Sequence, residues 1–207
     1  EFRRVLFRSE GNLALQLYRA YHARAMEQAG ADRSEDGLFA ALVVDAFGCH
    51  FLTDLFASGH LRVPRRALAA RHGVLRGALK MAHAMHEEDN SRGLLCAARG
   101  SLKSPGRAVW RAFGDGHLVT PEAQIHRAQV QEAVRRSAAE VFAASCDAPV
   151  DEDARAEALL PVPLLPGEHP RPADSLPGSA TAPEGANHYP LYVALADGRI
   201  ATRRGAP

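Results

Sequence analysis

The sequence predicts a mainly α-helical fold, and three observations carry that reading. Apolar residues recur at helical spacing from Asn12 to about Cys146. Glycines, prolines and capping residues punctuate these runs where helices should start and stop. Strand-like stretches are few and short, so the expected architecture is a helical bundle with a short β-hairpin insertion and an irregular, Pro-rich C-terminal segment. With 207 residues, of which 46% are hydrophobic and 24% charged, the chain can bury one sizeable core.

The opening EFRRVLFRS has four charged groups among large apolar residues and begins with the Glu-Phe that an EcoRI site encodes. Residues 1 to 9 therefore read as a cloning or assembly scar, with the native N-terminus missing. A first helix follows in NLALQLYRAYHARAMEQAG, with Leu13, Leu17, Ala20 and Tyr21 as its apolar face and Gly30 at its end. The second is GLFAALVVDAFGCHFLTDLFAS, capped by Asp36 and stopped by Gly59. Its apolar residues cover almost the whole circumference, so it should be central and buried. Pro64 suits the first turn of a third helix running to Asn90, weakened in its middle by Gly73 and Gly77. LLCAARG and RAVWRAFGDGHL read as two short strands around a Lys-Ser-Pro-Gly turn. A long helix begins at Pro121, with Ile125, Val130, Val134, Ala138 and Val141 near one face. The helical domain thus spans residues 10 to 146. Residues 147 to 189 hold most of the prolines and read as a linker, and residues 190 to 207 close the chain as a hairpin with an Asp-Gly turn.

A formal net charge of +1 argues against a nucleic-acid binder that relies on a basic surface. Cys49, Cys96 and Cys146 are widely spaced and form neither a disulfide framework nor a cysteine-rich zinc module. A membrane span over residues 37 to 57 is disfavoured by Asp45, His50 and Asp54 within that length.

HFLTDLFASGH, residues 50 to 60, carries the chemistry. His50 and Asp54 are four residues apart and share a helix face. Their neighbours are apolar, so the pair should face the interior or a cleft, where a lone carboxylate is costly. A buried ion pair or a divalent metal would satisfy it. The turn at Gly59 can bring His60 back toward the same cleft. His83, His86 and Glu87 sit at i, i+3 and i+4, a second helical face with metal-ligand chemistry. Six other histidines, His22, His72, His117, His126, His169 and His188, lack a partner at ligand spacing, so replacing His22 should cost little. Glu88 and Asp89 read as a solvated acidic helix end.

On these residues the chain resembles the bacterial zinc-dependent phospholipase C family and, more distantly, the single-strand-specific zinc nucleases of the same all-helical fold. The family's H-x3-D-x5-H is matched by His50, Asp54 and His60, and MAHAMHEEDN offers His83 and Glu87 for its H-x3-E, with His86 as the rival of His83. The likeness spans about residues 12 to 145. Arg62, Pro64 and Arg65 complete a GHxRxPR tail seen in the proteobacterial branch, where the arginines serve packing and loop anchoring.

The resemblance implies a cluster of up to three zinc ions that polarises a phosphodiester for hydrolysis, in a secreted or periplasmic enzyme that meets phospholipid at a membrane surface. Carried over residue by residue, His50 would ligate one zinc, Asp54 would bridge it to a second and act in catalysis, and His60, His83 and Glu87 would hold a third. The family's remaining ligands have no counterpart in this chain. Two alternatives stand beside this reading. A nuclease of the same fold would need aromatic platforms for bases, whereas one Trp and four Tyr are present and none clusters beside the motifs. A non-catalytic helical interaction protein would use its histidines and acids as a buried polar network.

Overall fold

The computed structural model describes residues 12–73, 77–102, 104, 108–114, 116–164, 187–195, 197 and 199–203. The fold is mainly α-helical with a short β insertion, as the sequence predicts. In order, the helices are α1 (Leu13–Ala31), α2 (Glu35–Asp54), the single turn α3 (Ser58–Leu61), α4 (Arg65–His72), α5 (Gly77–Arg92) and α6 (Gln124–Ser145). Strands β1 (Leu94–Ala98), β2 (Val109–Ala112) and β3 (Pro161–Pro163) form one antiparallel sheet in the order β2-β1-β3. Strands β4 (Tyr192–Ala194) and β5 (Ile200–Thr202) form the expected C-terminal hairpin.

Helices α1, α2 and α6 pack on one another. Asn12 caps α1 by accepting from the Ala14 amide, and Ser34, not Asp36, caps α2 by accepting from Gly37. Asp36 and Glu35 instead lie in the first turn, where carboxylates complement the helix dipole. The buried face of α1 is Leu15, Tyr18, His22, Ala25 and Ala29, one residue step away from the stripe of Leu13, Leu17, Ala20 and Tyr21. Leu13 is solvent-exposed.

The expectation of a fully buried α2 is corrected. Its interior positions are Gly37, Ala41, Asp45, Gly48, Cys49 and Leu52, whereas Phe39, Val43 and Phe47 are 69%, 55% and 54% exposed. Size decides the orientation. A Cβ on Gly48 would lie 3.0 Å from the Cβ of Tyr21, so the small residues of α2 are the ones that fit against α1. This helix is also long and apolar enough to cross a membrane.

Gly73, at φ +70°, separates α4 from α5, where one continuous helix is expected. Pro64 takes the N-cap position of α4. On α6, Ile125 is exposed while His126, Val130, Ala133, Ser137, Glu140 and Val141 face inward. Residues 147–164 are not a detached linker: Ala156 and Leu160 join the main core with Leu15, Tyr18 and Leu52, and β3 completes the sheet. The remainder of that segment, 165 to 186, lies outside the described residues, as do residues 1 to 9, read above as a scar, and the tip of the Lys-Ser-Pro-Gly turn. Ala25, Ala29, Ala41 and Val141 form a second cluster among α1, α2 and α6, and two more lie outside these helices. Leu68 and Met85 of α4 and α5 bury Leu191 and Tyr192, and the sheet buries Leu94, Cys96 and Trp110. All three cysteines are free.

Candidate functional site

The turn after α2 delivers His60. The ladder of α2 closes at Leu55, whose amide bonds the carbonyl of Leu52, and α3 restarts at Ser58. Gly59 therefore lies inside α3 and does not itself stop α2. Its amide donates to Asn90 Oδ1 at 2.7 Å, and Ser58 Oγ donates to the Asp89 carbonyl at 2.8 Å. A Cβ at Gly59 would sit 2.6 Å from both Asn90 Oδ1 and His86 Cδ2, so only glycine permits this approach of α3 to α5. The His60 and His86 rings consequently meet with centroids 5.2 Å apart and planes tilted by 41°. His86 Nδ1 is 3.1 Å from Glu87 Oε1, and the Asn90 amide lies 3.3 Å from the same nitrogen.

The other sequence-derived ligands are arranged differently. His83 is 75% exposed, its Nδ1 3.9 Å from Glu87 Oε1, so of the two rivals it is His86 that the fold brings beside His60. His50 is exposed, packed edge-on against Phe51, and Asp54 is half-buried. Of the two placements expected for this pair, the interior or a cleft, the interior one is corrected. They continue the outer face of α2 that also carries Phe39, Val43 and Phe47, because the small-residue face takes the interior. Two imidazoles and a carboxylate are a donor set that zinc accepts. Glu87, 59% exposed, touches His86, but the donor atoms of His60, His86 and Glu87 do not all lie within 4.8 Å of one another.

Among the described residues, one trio of histidine, cysteine or acidic side chains has its ligand atoms within 4.8 Å of one another: Glu88, Asp89 and His188. Arginines already hold it. Arg62 grips the buried Asp89 with Nε at 2.9 Å and a second nitrogen at 2.6 Å, and donates to the His188 carbonyl at 2.8 Å. His188 Nε2 lies 2.9 Å from Asp89, while Arg203 bonds Glu88 at 2.8 Å. Burial would raise the Asp89 carboxyl, but its bonds from Arg62 and His188 outweigh that and hold it below the usual range. A metal would have to displace a bidentate guanidinium, so this cluster is an ionic clamp of the C-terminal segment onto α5. The reading of Glu88 and Asp89 as a solvated helix end is thereby corrected.

A third cluster surrounds His22. Its Nδ1 is 2.7 Å from Asp45 Oδ1 on α2, and its Nε2 is 3.4 Å from Glu140 Oε2 on α6. Ser137 Oγ donates to Asp45 at 2.9 Å, so the Tyr18 hydroxyl at 3.0 Å donates to Ser137. Glu140 accepts from the Ala156 amide at 2.7 Å. Burial alone would lower the imidazole pKa; hydrogen bonds to Asp45 and Glu140 override it and raise it to about 9. Beside it, burial foremost pushes the Cys49 thiol up to about 11, which leaves it unreactive at neutral pH. The spacing argument missed this cluster because its members come from three helices. The usable signal was the interior stripe of α1, in which His22 falls in register with Leu15, Tyr18, Ala25 and Ala29.

His126 is also structural: its Nε2 bonds the Phe56 carbonyl at 3.1 Å and its Nδ1 accepts from the Phe113 amide at 3.2 Å. Burial lowers its pKa, consistent with the neutral ring that this acceptor role requires. In the comparisons with known proteins, no family model, no curated protein and no solved structure matches this chain.

Proposed function

We propose that the chain is a zinc-dependent phosphodiester hydrolase, a phospholipase C acting on phosphatidylcholine-like lipids. The observation that carries this reading is the meeting of His60 and His86 beside Glu87, across a contact that Gly59 and Asn90 hold. His60, His86 and Glu87 would hold the metal, which when bound supplies Lewis-acid polarisation of a phosphoryl oxygen. His50 and Asp54 offer further donors along the outer face of α2. Contact with a phospholipid surface and a secreted or periplasmic location belong to the same proposal.

A second reading is favoured by the His22–Asp45 and Arg62–Asp89–His188 contacts, in which buried charged groups pair within the protein. They are what a non-catalytic helical interaction protein would use as its polar core. Zinc binding separates the two. The purified chain is titrated with zinc, then assayed on phosphatidylcholine vesicles and on single-stranded DNA, with and without chelator. Zinc uptake that depends on His60 and His86, with chelator-sensitive release of the phosphorylated head group, supports the proposal. Cleavage of DNA alone would assign the chain to the nuclease branch, and absence of zinc binding would favour the non-catalytic reading.

A further inference from the structure

A cleft of about 710 Å³ opens between α1, the C-terminal part of α6 and residues 148–158, on residues that the zinc reading does not use. Its volume lies in the range of small-molecule sites. Met26, Ala144 and Val150 give it an apolar wall, and the His22–Glu140 pair lies at one side. Glu152, Asp153 and Arg155 also line it, and all three are exposed, where solvent screens them.

The lining as a whole carries four carboxylates, Glu140, Glu152, Asp153 and Glu157, against three arginines, but at the Arg99 end one carboxylate faces two guanidiniums. Glu157 is held by Arg19 through two bonds, of 2.6 and 2.5 Å. Arg99 also faces the cleft, with its side chain only 34% exposed, and its ion-pair partner is that same carboxylate at 3.7 Å. One carboxylate thus serves two guanidiniums, and the bidentate geometry belongs to Arg19. Arg99 is a half-buried cation with a distant, shared counter-ion. Desolvation foremost, then the neighbouring Arg19, disfavours its charged form, and Glu157 offsets this in part.

We propose that this cleft binds a small organic oxyanion, a carboxylate or a phosphate monoester, whose charged end pairs with Arg99 and whose apolar remainder lies against Met26 and Val150. A planar guanidinium facing an apolar wall recognises that combination, since the anion supplies the missing counter-charge and the tail displaces water from the wall.

The test titrates the full chain with hexanoate, hexyl phosphate and neutral hexanol by calorimetry and by amide chemical-shift mapping. The expected result is binding of at least one anion, with shifts around Arg99 and Met26 and none from hexanol. Tighter hexanoate points to a carboxylate ligand and tighter hexyl phosphate to a phosphate monoester. Arg99→Gln should weaken the anion by roughly tenfold or more, the scale of a charge-assisted hydrogen bond. Glu157→Gln should strengthen it several-fold, because both arginines lose their internal competitor. A purely structural role for these residues would not give opposite signs. Equal binding of hexanol, no binding of either anion, or an anion weakened by Glu157→Gln would overturn the proposal. If Arg99→Gln does not fold, the direction of the Glu157→Gln effect decides alone.

Discussion

His22 and Asp45 meet between α1 and α2 with Nδ1 and Oδ1 2.7 Å apart, in an interior where each side chain keeps less than a tenth of its exposure. Asp45 interrupts the most apolar helix of the chain, and the imidazole is what makes it tolerable there. Removing one partner leaves the other charge buried with only Ser137 beside Asp45 or the more distant Glu140 beside His22, which costs up to about 3–5 kcal/mol. His22→Ala should therefore lower the urea midpoint sharply, contrary to the small effect expected from spacing alone. The triple variant His22→Leu, Asp45→Leu, Glu140→Gln, which leaves no buried charge in the cluster and keeps an acceptor for the Ala156 amide, should recover much of the loss, and failure to recover would show that this cluster is not the unit at stake.

Stability should peak near neutral to slightly acidic pH, because two histidines act with opposite signs. His22 is raised in the folded state to about 9, so its contribution is complete below the ordinary histidine pKa of about 6.5 and is lost as pH rises through 9. His126 is lowered, so its contribution is complete above about 6.5 and falls away as pH drops below that value. Thermal melts between pH 5 and 9.5 should show the maximum. His22→Gln should flatten the alkaline side only, and an unchanged alkaline slope in that variant would refute the assignment.

Arg62→Ala should release the C-terminal hairpin. It strips Asp89 of its bidentate partner and His188 of a carbonyl bond, so a loss of about 3–5 kcal/mol is expected. Limited proteolysis with trypsin should then cut at Arg199 and Arg203 of the hairpin faster than in the parent chain. Arg62→Lys should give an intermediate result, since an ammonium cannot reproduce the fork.

Gly59→Ala should separate the two central imidazoles. The new methyl group meets Asn90 and His86 at 2.6 Å, and relieving that overlap costs about 1–3 kcal/mol. If zinc binds as proposed, its affinity should fall by about tenfold or more in Gly59→Ala, His60→Ala and His86→Ala, while His83→Ala stays near the parent value. Equal zinc affinity across all four variants would remove His60 and His86 from the site.

Asp54→Asn tests the outer-face ligands separately. It should leave the melting temperature nearly unchanged, because the carboxylate is only half-buried on a helix whose interior face lies elsewhere. Under the zinc proposal it should nevertheless depress phosphodiester hydrolysis by more than loss of the exposed His83 does.

The helices were legible because apolar spacing survives any detail of packing, and the hairpin because β4 and β5 flank a local turn. Face assignment was less legible. On α1 two stripes compete, and the one containing Leu13 and Tyr21 is more apolar than the alanine-rich one that the core takes. On α2 hydrophobicity is nearly uniform, so residue size chose the inner face, and size complementarity depends on a neighbour that periodicity does not see. The approach of His60 to the second cluster was implied only by the family resemblance, with His83 as its partner, whereas spacing and Gly59 pointed His60 toward His50 and Asp54; the fold brings it to His86. The Arg62–Asp89–His188 clamp was not legible, because its partners lie 27 and 99 positions apart and carry no local pattern.

Trp110 is the sole tryptophan of the chain, and it sits 3% exposed in the sheet cluster, apart from the bundle that holds His22. Its fluorescence is therefore a native reporter for one half of the protein, whereas helical circular dichroism is weighted toward the other. Denaturation curves recorded by the two signals should superimpose if both halves unfold together. A gap between them would measure, without any label, how strongly the sheet and the bundle depend on each other.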